Sequence, residues 1–141
     1  MYRDCRDDLD ITNRIKRAGN AFGAIRKSIF SNSTVSTNVK ASVYESLILP
    51  IVLYGSESWC LTESRLLRLF HRNCVRAMCR VNLLQVRRYR ISNEELLDRL
   101  GLLSIDCYIR VLRIMRIARI ARIVKIIWVE RIVRIVGVAR G

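Results

Sequence analysis

Acidic residues, histidine and proline are scarce in this sequence. Asp and Glu number 12 against 26 Lys and Arg, which gives a formal net charge of +14. Charge this one-sided repels itself, so the composition favours a polyanionic partner, nucleic acid ahead of an anionic membrane. With 1 Pro and 6 Gly, the chain is not generally disordered. Its 141 residues fit one small domain or a piece of a larger protein.

Residue patterns for catalysis and metal binding are missing as well. The single histidine, His71, precedes Cys74 by three residues but has no orienting acid nearby, which favours a helix-surface histidine and a core cysteine. Adding Cys79 gives three zinc ligands at non-standard spacing and no fourth. Asp7 and Asp8 fit the start of a helix, where acids are favourable. No glycine-rich phosphate loop or GxSxG motif occurs. We therefore expect no enzyme activity, cofactor or metal.

The cysteine pattern and the first residues bear on the cellular compartment. The 5 cysteines form no CxxC pair, and the N-terminus lacks the apolar segment of a signal peptide. These features predict free thiols in a reducing compartment, the cytoplasm or the nucleus.

Hydrophobic periodicity predicts an all-α chain of four or five helices. The helices are expected around residues 8–30, 37–54, 62–81, 92–100 and 105–136. The first three are expected to form a small bundle through three apolar stripes. These stripes are Ile11, Ile15, Ala18, Phe22, Ile25 and Ile29; Val39, Val43, Leu47, Ile51 and Tyr54; and Leu66, Phe70, Cys74, Ala77, Met78 and Val81.

Individual residues predict where these helices bend and end. Pro50 predicts a kink or break near residues 45–49, because proline removes a backbone donor and crowds the preceding turn. Ser92 and Glu95 form a potential capping box, and Gly101 is a typical C-cap.

Basic residues form a one-sided row in the third helix. Five arginines at spacings of three and four fall within about 120° of the helix surface. No acid occurs between Ser64 and Ile91, and three more arginines surround Tyr89. Arginine rows with an aromatic residue are typical of phosphate-contacting surfaces. The predicted nucleic-acid-binding residues are Arg65, Arg68, Arg72, Arg76, Arg80, Arg87, Arg88 and Arg90.

The C-terminal segment differs from the rest. From Arg110 to Lys125 a cation recurs every third residue, and this period moves around a helix instead of holding one face. Such frequent cations also exclude a transmembrane span. We assign residues 1–103 to a helical segment and 104–141 to a basic helical tail of low complexity. The tail could lie on nucleic acid or lipid headgroups, pack as a long helix, or have no selected role.

Four segments together resemble a known family. They are "DITNRIKRAGNAFGAI", "VKASVYESLILPIVLYGSESWCLTES", "LFHRNCVRAMCRV" and "ISNEELLDRLGL". In this order they resemble the region downstream of the palm in non-LTR (LINE-type) retrotransposon reverse transcriptases, over roughly residues 8–110. The most specific match is the Leu-Tyr-Gly-x-Glu-x-Trp pattern at Leu53, Tyr54, Gly55, Glu57 and Trp59.

The resemblance implies a thumb-like helical segment that grips the primer–template duplex beside the polymerase palm. The helix starting near Arg65 would contact the duplex, and Leu53–Trp59 would form a structural joint, with Tyr54 and Trp59 pinning two helices. The Tyr/Phe-x-Asp-Asp metal hairpin, the palm and the endonuclease are absent from these residues, so the resemblance implies a truncated, non-catalytic remnant. The alternatives are a stand-alone basic DNA-binding protein, a membrane-surface protein, or a degenerate product without function.

Overall fold

The protein is all-α. The computed structural model describes residues 4–56, 59 and 65–139, and no strand occurs among them. The first helix, α1 (Asp4–Ile25), continues into a π-helical turn at Arg26–Phe30. The second is split into α2 (Thr37–Val43), a π-helical turn (Tyr44–Ile48) and α3 (Leu49–Leu53).

Four further helices complete the described chain. They are α4 (Arg65–Cys79), α5 (Leu83–Tyr89), α6 (Asn93–Leu100) and α7 (Ile105–Ala139). Helix α1 packs on α3 and α4, while α6 packs on α2 and α4, and α7 contacts α4. The expected helices are therefore present, and the start expected at Thr62 lies outside the described residues.

Pro50 has the predicted effect on the second helix. The π-helical turn at Tyr44–Ile48 lies just before it and overlaps residues 45–49, where a kink or break was expected. A π-turn widens the helix locally and accommodates a backbone that cannot keep the regular hydrogen-bond ladder. Pro50 itself then occupies the first turn of α3, where a missing N–H costs little.

The second apolar stripe was predicted only in part, because Val43 and Ile51 pack against the core while its other members are exposed. Val39 and Leu47 are exposed, whereas the core contains Tyr44, Ile48 and Val52, one residue further along the helix. The buried row also contains Lys40, which is only 4% exposed. A lysine in this row makes the buried face look polar in the sequence. A lysine can be buried in this way because its long stem is aliphatic.

Helix α5 was missed by the sequence prediction. Asn82 accepts a hydrogen bond from the Gln85 backbone, and the Gln85 side chain accepts one from the Asn82 backbone, which makes a full capping box. The helix has no buried residue, so it offers no apolar stripe to detect. The box predicted at Ser92 is only half formed, because the Glu95 carboxylate pairs with Arg99 instead.

The beginning of α7 belongs to the core, while the rest of it is exposed. Ile105 and Ile109 are buried, and Arg113 donates a hydrogen bond to the Trp59 carbonyl at 2.8 Å. Every side chain that the structure describes from residue 114 onward is exposed. Burial therefore changes near residue 113, within the segment that the composition assigns to the basic tail. Within the described residues, no helix is both long and apolar enough to span a membrane.

Candidate nucleic-acid interface

Helix α4 separates its charged face from its buried face. Leu67, Cys74, Val75 and Met78 face the core, where apolar burial holds the helix in place. Arg65 and Arg72 are exposed on the surface, and Arg76 is half-buried. The apolar face thus fixes the orientation in which the arginines reach solvent.

Arg68 differs from its neighbours in the row. Its Nε donates to Oδ2 of Asp106 at 2.9 Å, and both side chains are 40% exposed. The ion pair links α4 to the start of α7 and neutralises part of the positive row. Sequence distance concealed the pair, because Asp106 lies 38 residues away and outside the acid-free stretch.

Arg80 ends helix α4 in an unusual backbone conformation. Its φ is +56°, in the left-handed region that glycine normally occupies. The backbone N–H groups of Arg80 and Val81 donate to the carbonyls of Ala77 and Arg76, which closes a Schellman motif. Arg80 is exposed at the end of the arginine row.

The second group of predicted binding residues lies on α5 and its C-terminal end. Arg87, Arg88 and Arg90 are all exposed. The Arg88 guanidinium lies 5.8 Å from the centre of the Tyr89 ring, and Tyr89 is 65% exposed. Like Arg80, Arg90 has a positive φ, +50°, at a helix C-cap. An exposed aromatic ring among cations can stack on a base while the arginines contact phosphates.

The Leu53–Trp59 joint is partly as expected. Leu53 and Trp59 are buried, and Gly55 ends the helix with a φ of +76°. Tyr54 does not pin the helices from the core, because it is 72% exposed and packs beneath the Arg14 guanidinium at 5.0 Å. Glu57 lies outside the described residues.

The prediction that His71 lies on the helix surface is wrong. His71 is 2% exposed, with Nδ1 2.8 Å from the Tyr44 hydroxyl and Nε2 2.9 Å from the Leu103 carbonyl. A carbonyl only accepts, so Nε2 carries the proton and Nδ1 accepts from Tyr44. Burial lowers the pKa of His71, although the Leu103 hydrogen bond and then Asp106 oppose the shift. The ring therefore joins three parts of the core as a neutral side chain.

The cysteines near this histidine are protected thiols. Burial raises the pKa of Cys74 to about 12, while its hydrogen bond with Tyr44 and the charge of Arg26 act in the opposite direction. Burial also raises the pKa of Cys79. A nucleophilic or metal-binding cysteine needs its thiolate form, which burial disfavours here. No group of three potential metal ligands occurs in the part of the chain that the structure describes.

Comparison of the chain with protein-family models, curated proteins and solved structures finds no match.

Proposed function

We propose that this chain binds the phosphate backbone of nucleic acid through the arginines of α4 and α5 and catalyses no reaction. The observation that carries the proposal is the exposure of Arg65, Arg72, Arg87, Arg88 and Arg90 on a protein of net charge +14. Guanidinium groups bind phosphate oxygens in a bidentate geometry, and the neutralised phosphates release condensed counterions.

The resemblance to non-LTR reverse transcriptases gives the proposal its biological setting. A thumb-like segment contacts an RNA–DNA or DNA duplex and packs on a polymerase palm. Two features are consistent with a missing partner of this kind. Val39 and Leu47 are exposed on α2 and its π-turn, and an apolar cleft of about 600 Å³ lies between α3 and α7.

A binding assay with matched double variants tests the proposal. Arg65→Gln/Arg72→Gln removes two charges from the α4 face, and Lys16→Gln/Arg17→Gln removes two exposed charges from α1. Affinity for a labelled RNA–DNA hybrid is measured by fluorescence anisotropy across a salt series. The plot of log K against log[salt] has a negative slope, and each phosphate contact contributes about 0.9 to its magnitude. The α4 variant should therefore make this slope shallower by about two. Equal losses of affinity in both variants would show that the protein binds nucleic acid only by unspecific charge attraction.

Membrane-surface binding by the exposed part of α7 is the second candidate. Isoleucines, Trp128 and cations are exposed together along this helix. A membrane-surface helix needs separate apolar and charged faces, and a period of three mixes them. Flotation with anionic liposomes, with and without residues 114–141, distinguishes this candidate, because tail-dependent flotation at physiological salt would support it.

A further inference from the structure

The end of the first helix and the end of α4 border an open basic cleft on the surface. It has a volume of about 400 Å³, within the range of about 300–1,000 Å³ typical of small-molecule sites. Its charged lining is three arginines and no carboxylate. The lining residues are Arg26, Ser31, Asn73, Arg76, Ala77, Arg80, Val81 and Asn82.

Three arginines line this cleft from two distant parts of the chain. Arg26 begins the π-helical turn that follows α1, while Arg76 and Arg80 lie on the last turn of α4 and just beyond it. The π-turn closes when the Ser31 N–H donates to the Arg26 carbonyl at 2.7 Å, and this fixes the backbone that bears the Arg26 side chain. Tertiary structure thus adds a cation that the α4 arginine row does not contain.

Local contacts hold the Arg76 side chain and the backbone at Arg80. Arg76 donates to Oδ1 of Asn73 within the cleft, which orients its guanidinium. The Schellman motif at Arg80 turns the backbone at the cleft edge. The Asn82 side chain is already engaged in the capping box of α5, so the arginines are the main anion-binding groups here.

We infer that Arg26, Arg76 and Arg80 form a seat for one phosphate group. Three arginines on one cleft supply positive charge and the planar donor groups that bind phosphate oxygens. The seat extends the proposed function, on which it rests for the source of the phosphate. In that setting the group is a backbone phosphodiester, and Arg26 joins the interface as a contact residue. Free inorganic phosphate has the same recognising chemistry.

Adjacent substitutions in the full chain provide the test. Arg26→Gln removes a cation from the cleft, whereas Lys27→Gln removes an exposed neighbour that does not line it. Arg26→Gln should lower affinity for the RNA–DNA hybrid about tenfold, as expected for losing a charge-assisted contact, and lower the salt slope by about one. Lys27→Gln should change both much less. Circular dichroism confirms that each variant is folded.

A second measurement identifies the source of the phosphate. The melting temperatures of the wild type and both variants are compared in inorganic phosphate and in chloride at equal ionic strength. Phosphate-specific stabilisation that Arg26→Gln removes and Lys27→Gln keeps supports a seat that accepts free phosphate. A loss of hybrid binding without such stabilisation supports a seat for the nucleic-acid backbone alone.

The remaining outcomes separate this inference from the proposed function. Equal behaviour of Arg26→Gln and Lys27→Gln in both measurements overturns the seat. The proposed function survives that result if Arg65→Gln/Arg72→Gln still weakens hybrid binding. A wild type that binds no nucleic acid overturns the proposed function, and the phosphate-dependent melting then decides the seat by itself.

Discussion

The Tyr44 hydroxyl and Nδ1 of His71 lie 2.8 Å apart in the core, joining the second helix to α4. His71 donates onward from Nε2 to the Leu103 carbonyl at 2.9 Å. The polar atoms of this buried chain are therefore satisfied by each other. Removing one member leaves its neighbours without hydrogen-bond partners in an apolar surrounding, which destabilises the folded protein.

Stability should fall in mild acid because of His71. Burial lowers its pKa below the ordinary value, so the folded protein binds this proton less tightly than the unfolded chain does. The contribution of His71 to the free energy of unfolding is complete above about pH 6.5, the pKa of histidine in the unfolded chain. It decreases as the pH falls from there toward the lower pKa of His71 in the folded protein. Because the chain has 1 histidine, His71→Gln should largely abolish the slope between about pH 7.5 and pH 5.5. Urea denaturation at several pH values measures it, and an unchanged slope in the variant would assign the effect to other groups.

Removing the Tyr44 hydroxyl should destabilise the core. Tyr44→Phe keeps the ring but leaves Nδ1 of His71 without its donor, at a cost of about 1–3 kcal/mol. Tyr108→Phe is the comparison, because its hydroxyl donates to Glu45 at 2.6 Å and accepts from the Leu103 N–H at 3.2 Å in a more solvated position. Chemical denaturation of both variants should give the larger loss for Tyr44→Phe, and the opposite order would contradict the buried network.

Glycine should affect stability in opposite directions at Arg87, inside α5, and at Arg90, its C-cap. Arg90 has a positive φ, so Arg90→Gly should relieve about 1 kcal/mol of backbone strain. Arg87 lies inside the helix, where glycine costs about 1 kcal/mol. Both substitutions remove one charge from an exposed site, which makes them matched. Thermal unfolding of the two variants checks the signs, and a destabilised Arg90→Gly would refute the strain argument.

The Arg68–Asp106 pair should couple only weakly in stability. Each side chain is 40% exposed, and such pairs contribute about 0.2–1 kcal/mol in double-mutant cycles. The cycle uses Arg68→Gln, Asp106→Asn and the double variant. Because Asp106 already neutralises Arg68, Arg68→Gln should also weaken hybrid binding less than Arg72→Gln. Equal binding losses for the two arginines would indicate that the ion pair opens when nucleic acid binds.

Removal of the exposed part of α7 should leave the bundle intact. A chain ending at Arg113 loses no side chain that the structure describes as buried, so its unfolding free energy should change by less than about 0.5 kcal/mol. A chain ending at Gly101 also loses Ile105 and Ile109, and it should lose several kcal/mol. Thermal melts of the two chains make the comparison. A large loss of stability in the chain ending at Arg113 would show that the removed part of α7 contacts the bundle.

Hydrophobic period, capping residues and charge were sufficient to predict much of the fold. They predict the helices, the disturbance before Pro50, the C-cap at Gly101 and the arginine row of α4, because each depends on residues within a few positions of one another. The binding role of that row stays a prediction. Helix α5 was within reach of the same reasoning, since Asn82 and Gln85 are three residues apart.

Only the tertiary structure decided which helix faces are buried and which charges meet. A polar side chain enters the core when a distant partner satisfies it, as Tyr44 does for His71. Lys40 is also buried, and its long aliphatic stem makes that possible. Likewise, the Arg68–Asp106 pair and the cleft of Arg26, Arg76 and Arg80 combine residues that are far apart along the chain. The sequence by itself determined the local helices and the excess of cations, because both follow from neighbouring residues or from composition. Packing determined the neutral histidine and the position of each arginine, because those depend on contacts between helices.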